Sequence, residues 1–260
     1  MRILITNDDG VLAPGIAALA RAVADLGDVE VVAPETPQSA VGHAISVLSP
    51  LVVHRVHVAD AFHAWSVDGR PADCVKLAML ELLDAPPDFV LSGINAGVNT
   101  GVNVLYSGTV AGAVEGAFFG IPSMAVSLEL SEELDFEQAG RIARMVFRQY
   151  AASNPPPGMC LNVNIPALDD GPPRGVKVCA QCTVPMQDRY HRQTDPRGRS
   201  VYWLDGALPD RHCAPDTDHE AVSDRYVAIT PLRFDLTDAK RLEQVRRWSW
   251  PTDFDARSQG

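Results

Sequence analysis

The chain has 260 residues, of which 46% are apolar, and a formal net charge of -11 at neutral pH. That length suits one large α/β domain, or a domain with a substantial extension, and the apolar share is ordinary for a globular core. The acidic balance argues against stable, sequence-independent binding of nucleic-acid backbone, and no apolar run approaches the roughly 18 residues of a membrane span.

The first ten residues, MRILITNDDG, set the pattern. Ile3-Leu4-Ile5 reads as a buried strand that ends on an acidic turn, Asn7-Asp8-Asp9-Gly10. No basic segment or cleavage site precedes it, so the chain reads as cytoplasmic. Residues 15–26 carry helical apolar spacing, and Val29–Ala33 reads as a second strand followed by a polar loop through Ser39. Residues 44–67 are short, alternating, β-branched pieces without a helix, which predicts a β-excursion, such as a hairpin, out of a parallel sheet. Pro71 opens a helix through Leu83, and Phe89–Leu91 reads as a third buried strand. The stretch from Ser92 to Asn103 is rich in Gly and Asn and reads as a loop able to bring many amide groups to one ligand. A small-residue helix follows Ser107-Gly108-Thr109, with Thr109 expected as its N-cap. Strands at 121–128 and 161–165, separated by an amphipathic helix over 136–151, complete the pattern.

These elements predict a Rossmann-like α/β fold with a mostly parallel sheet and helices on both faces. The expected division is a catalytic core over 1–165 and an irregular extension over 166–260 made of loops, short strands at 176–184, 200–204 and 225–230, and a terminal helix. The arginines between Arg189 and Arg199 lie in what reads as a polar loop. The cysteines number five, and an odd count without secretory features predicts reduced thiols. Cys179 and Cys182 have CxxC spacing but no second pair to complete a zinc site.

In open parallel sheets ligands bind outside the carboxyl ends of the strands. That places Asp8 and Asp9, Ser39 and Asn95 together as oxygen donors. Adjacent carboxylates repel unless a positive charge lies between them, and a hard divalent cation is the natural partner for such donors. The alternative is a strand-ending turn in which Asp8 caps the next helix and Asp9 is solvated. A helix N-terminus behind Ser107-Gly108-Thr109 is a natural phosphate seat. The combination suggests a phosphomonoester hydrolase, in which a metal neutralises the phosphoryl oxygens and activates water.

Several ordered blocks then resemble a known family. ITNDDG at 5–10, VVAPETPQSAVGHAIS at 31–46, PADCVKLA at 71–78, LSGINAGVN at 91–99, YSGTVAGAVEG at 106–116 and LNVNIP at 161–166 are similar to the SurE family of survival-protein nucleotidases. TDHEAV at 217–222 and YVAITPL at 226–232 resemble its C-terminal motifs more loosely. The resemblance implies hydrolysis of nucleoside 5′- and 3′-monophosphates, with trimming of short polyphosphate as a side activity. It implies one divalent ion per subunit, Mg²⁺ or Mn²⁺ with Ca²⁺ able to stand in, held by Asp8, Asp9, Ser39 and Asn95. It also implies substrate contacts at Asn99, Ser107, Gly108 and Thr109, catalysis centred on Asp8 and Asp9, and a homodimer or homotetramer assembled through the C-terminal extension.

Two positions depart from the family pattern. Arg70 stands where threonine is usual, and Val47 where a threonine often follows the serine. Direct attack by water is expected; the rival is phosphoryl transfer to Asp8. A non-catalytic Mg–nucleotide module and a glycosyltransferase are the other classes that could use such loops. His43 reads as a structural, loop-ordering histidine.

Overall fold

The computed structural model describes residues 1–58, 62–185, 187–207 and 213–251. The first strand, β1 (Arg2–Thr6), is followed by α1 (Pro14–Val23) and β2 (Asp28–Pro34). Next come a hairpin, β3 (Val53–Val58) and β4 (Phe62–Val67), then α2 (Pro71–Leu77) and β5 (Phe89–Ala96). The core continues through α3 (Gly108–Phe118), β6 (Ser123–Leu128), α4 (Phe136–Ala152) and β7 (Cys160–Ile165). Beyond it lie β8 (Val176–Val178), β9 (Gln187–Thr194), β10 (Ser200–Ala207), α5 (Asp218–Ser223), β11 (Val227–Leu232) and α6 (Ala239–Arg246). None of the described helices is long and apolar enough to cross a membrane.

The main sheet has nine strands in the order β3-β4-β2-β1-β5-β6-β7-β11-β8. From β4 to β7 every neighbouring pair is parallel, which matches the α/β expectation. The chain builds outward from β1 through β2, then crosses to the other side of β1 to place β5. The junction between β1 and β5 is therefore the topological switch point, where an open α/β sheet leaves a crevice at its carboxyl edge.

Why these segments adopt these elements is visible in burial. Ile3, Leu4 and Ile5 are wholly buried, as an apolar strand covered by helices on both faces requires. The largest core cluster packs α1 and α4 against one face of the sheet, and smaller clusters set α2 and α3 against the other. Helix α3 is nearly all Gly, Ala and Val, and its glycines recur every fourth residue on one side. A Cβ at Gly112 would lie 2.8 Å from the Thr6 methyl, and one at Gly116 would lie 2.7 Å from a Val90 methyl. The bare glycine face thus lets α3 lie directly on β1, β5 and β6.

Four expectations change. The segment after Leu91 continues as strand through Ala96, with a register shift between Ser92 and Asn95, because pairing with β1 and β6 satisfies its backbone. The 44–67 excursion contributes two strands that do not leave the sheet; β4 pairs in parallel with β2, and β3 forms the edge. The arginine-bearing stretch is a paired two-stranded hairpin, β9 with β10. Cys182 and Cys213 form a disulfide with Cα atoms 5.8 Å apart, so only Cys74, Cys160 and Cys179 are free thiols. Folding of the extension brings Cys182 and Cys213 together across 31 residues of chain, most of them in the hairpin.

Candidate metal and phosphate site

The acidic turn leaves β1 at the switch point. Asn7 steadies it by donating from Nδ2 to the Gly10 carbonyl at 2.8 Å. The loop after β2 docks on the same turn, since the Gln38 N–H donates to the Asp8 carbonyl at 2.7 Å. Ser39, the next residue, is exposed there. From β5, the Ala96 N–H donates to Asp9 Oδ2 at 3.2 Å. Asn95 beside it donates its Nδ2 to the Gly97 carbonyl at 2.7 Å, which fixes the amide and leaves its Oδ1 as an acceptor. Three strand ends, β1, β2 and β5, thus bring Asp8, Asp9, Ser39 and Asn95 to one edge.

Helix α3 meets this edge end-on. Ser107 is its N-cap, with Oγ accepting from the Val110 N–H at 3.0 Å. Thr109, the expected cap, lies instead in the first turn and donates its hydroxyl to Asp8 Oδ1. Ser107 fits the cap because its backbone is extended, with φ -73° and ψ 126°, the non-helical geometry of that position. The first-turn N–H groups of Gly108 and Thr109 have no acceptor within the helix. A Cβ at Gly108 would stand 2.7 Å from Asp8 Cβ and 3.0 Å from its Oδ2. Glycine is what allows the helix end to approach the carboxylate.

Asn99 holds the loop between β5 and α3. Its N–H donates to Asn164 Oδ1 at 2.7 Å, its Nδ2 to Ser127 Oγ at 2.8 Å, and its carbonyl accepts from Asn162 and Asn164. Of the departures noted above, Arg70 donates to Ser46 Oγ at 2.9 Å, and Ser46 is bound in turn to Asp73, while Val47 is exposed.

The electrostatics of the turn point to a cation. Burial pushes the Asp8 carboxyl up to about 6, and the Asp9 charge adds to it, while the Thr109 hydroxyl and backbone hold it down. Asp9 is also raised by burial, with the Ala96 N–H opposing. No Lys, Arg or His forms an ion pair with either carboxylate among the described residues. Asn7 Oδ1, in the same turn, is buried without a hydrogen-bond partner. Hard carboxylate, amide and hydroxyl oxygens of this kind suit Mg²⁺ or Mn²⁺. Among the described residues no group of three or more His, Cys, Asp or Glu side chains gathers anywhere, so the donor set here is two carboxylates with amide and hydroxyl oxygens. The residues fit such an ion.

The family model for survival protein SurE matches residues 3–188. The chain belongs to the SurE family. The matched span contains Asp8, Asp9, Ser39, Asn95, Asn99, Ser107, Gly108 and Thr109. A relative named 5′-nucleotidase SurE from Syntrophobacter fumaroxidans is 48% identical, covering 96% of this chain and 100% of its own. Another of the same name from Rhodopirellula baltica is 47% identical over 96% and 99%. The crystal structure of a SurE protein from Aquifex aeolicus superimposes with a TM-score of 0.82 at 38% identity, covering 95% of this chain and 98% of that one.

Sequence reasoning missed the surroundings of α3. Glu115 is buried in the middle of this helix; its Oε2 accepts from His43 Nε2 at 2.7 Å, and its Oε1 lies 2.6 Å from Lys76 Nζ. A single carboxylate inside an otherwise small and apolar helix was the available signal. His43, expected as a structural histidine, is tied to the core through that carboxylate.

Proposed function

We propose that this chain is a metal-dependent phosphomonoesterase that converts nucleoside 5′- and 3′-monophosphates to nucleoside and phosphate, with short polyphosphate as a secondary substrate. The observation that carries the reading is the buried Asp8 carboxylate, raised to about 6 and set against the α3 N-terminus with no ion pair to a cationic side chain among the described residues. The names of the SurE relatives support the same reaction class.

Asp8, Asp9, Ser39 and Asn95 are the residues that would hold one divalent ion, Mg²⁺ or Mn²⁺. Such an ion supplies neutralisation of phosphoryl oxygens and acidifies water. The protein's own groups do the rest. The N–H groups of Gly108 and Thr109, with the Ser107 hydroxyl, seat the phosphoryl group at the positive end of the helix. Thr109 orients Asp8 through its hydroxyl. Asp9, whose Oδ2 accepts from the Ala96 N–H, is the residue we assign to take a proton from the attacking water through Oδ1. The new P–O bond forms in line with the ester bond that breaks, and the leaving alkoxide is protonated by solvent. Asn99, clamped by β6 and β7, fixes the loop that carries the seat.

The 166–260 extension is the assembly element in this reading, in a homodimer or homotetramer. Its support is the concentration there of exposed large side chains, including Tyr202, Trp203, Leu204, Leu236, Trp248 and Trp250, since exposed apolar patches mark interaction surfaces.

The test is phosphate release from a panel of nucleoside 5′- and 3′-monophosphates after EDTA treatment and after restoring Mg²⁺ or Mn²⁺. Activity should vanish with chelator, return with metal, and be lost in Asp8→Asn and reduced in Ser107→Ala. A folded, metal-supplemented wild type that releases phosphate from none of them overturns the proposal.

A further inference from the structure

Along α3, reaching its N-terminal residue Ser107, lies a cleft of about 870 Å³. Its floor is the outer face of α3, where Ser107, Ala111, Val114 and Phe118 follow one another at three- and four-residue steps. It is lined as well by His43 and by the chain that leaves β11, including Phe234. Ser107 belongs both to this cleft and to the helix end that caps the phosphate seat. Through Ser107 the cleft adjoins the seat, on the side a phosphate ester at 107–109 could turn its alcohol half toward.

The cleft is lined by a stacked aromatic pair whose position is fixed from several sides. The His43 ring lies parallel to Phe118, with centroids 4.8 Å apart and planes at 7°. Phe234 meets Phe118 edge-on, with centroids 4.8 Å apart and planes at 78°. In the plane of the ring, His43 Nε2 donates to Glu115 Oε2 at 2.7 Å, and Glu115 is itself paired with Lys76. Burial raises Glu115, but its His43 and Lys76 partners outweigh burial and hold it below its ordinary value, so it is an ionised acceptor. The loop bearing His43 is docked as well, through the Gly42 N–H to the Tyr106 carbonyl at 2.8 Å. A stacked ring held by a buried carboxylate is a pre-organised surface, and a pre-organised surface loses little freedom on binding. A volume of this size is typical of a small-molecule site.

We propose that His43 and Phe118 form the platform on which the nucleobase of the substrate stacks, an assignment that rests on the phosphomonoesterase reading of the adjoining turn. Stacking on aromatic side chains is how proteins hold bases without reading their edges. Glu115 and Lys76 are positioning residues in this arrangement; they act by holding the His43 ring.

The experiment compares kcat and KM for adenosine 5′-monophosphate and ribose 5-phosphate, which carries the same sugar ester without a base. Wild type, His43→Ala and His43→Phe are measured, with calorimetric titration of adenosine into each. Wild type should favour the base-bearing ester by about tenfold or more in kcat/KM, the size expected of one stacked base. His43→Ala should bring that ratio to within about threefold of unity, mainly through KM, and weaken adenosine by about tenfold. His43→Phe should retain most of both, because a flat ring still lies against Phe118. An unchanged ratio in His43→Ala, or a wild type that does not bind adenosine, overturns the assignment. If neither ester is hydrolysed while adenosine binds in a His43-dependent way, the phosphomonoesterase reading fails and the nucleoside platform stands.

Discussion

Asp8, at the N-terminus of α3, and Glu115, within that helix, are both buried carboxylates, at 6% and 2% exposure, and their settings are opposite. Glu115 has Lys76 on one oxygen and His43 on the other, and its net shift is downward. Asp8 has a threonine hydroxyl, a helix end and a second carboxylate, and it is raised to about 6. Equal burial therefore does not mean equal role. A carboxylate whose counter-charges are built from side chains holds the fold together, whereas one that leaves its charge uncompensated is suited to a cation from solution.

The comparison breaks most sharply at Asp8→Asn. Catalysis should fall by roughly a thousandfold or more, as when a main electrostatic contributor is removed, while the metal-free protein becomes more stable. Ionising Asp8 in the fold costs on the order of 2–3 kcal/mol given the rise from 3.8 to about 6. Thermal melts in EDTA near neutral pH should show the gain, and an Asp8→Asn protein that melts below wild type would contradict it. The same sign predicts that metal-free wild type loses stability as pH rises through the interval from 3.8 to about 6, because the folded state there binds more protons than the unfolded state.

Gly108→Ala tests the approach of the helix to that carboxylate. A Cβ 2.7 Å from Asp8 Cβ must displace either the turn or the helix end. Activity should drop about a hundredfold with a stability loss of about 1–3 kcal/mol. Steady-state rates and denaturant melts separate the two effects.

Glu115→Gln gives the smallest catalytic change and the converse stability signature. It should destabilise the protein by about 1–3 kcal/mol near neutral pH. Because the folded-state value of Glu115 is lowered, its contribution is complete above the ordinary glutamate range and is lost as pH falls through the folded value. The difference in melting between variant and wild type should therefore shrink in acid. A difference that grows in acid would place Glu115 with Asp8.

The parts legible in the sequence are those where local chemistry and tertiary context agree. Ile3-Leu4-Ile5 followed by Asn7-Asp8-Asp9-Gly10 reads as strand and turn because burial on both faces demands an apolar run and the sheet edge admits charge. The continuation of β5 to Ala96 was hidden, since Gly93, Asn95 and Ala96 have weak strand preference and their conformation comes from pairing with neighbours. Ser107 and Thr109 both suit a cap, and the choice between them is made by Asp8, which engages the threonine hydroxyl. Strand β9 is exposed at every residue, so it has no apolar alternation to announce it. The Cys182–Cys213 pair depends on how the extension folds back, which spacing along the chain does not encode.

The most direct test of the contrast is a calorimetric Mn²⁺ titration of wild type and Asp8→Asn at about pH 5 and about pH 7.5, since a carboxylate ligand must shed its proton to bind metal. Wild type should bind one ion per chain, more tightly at the higher pH, and Asp8→Asn should lose most of that affinity. Equal Mn²⁺ binding by the two proteins would contradict the assignment of Asp8 to the metal site.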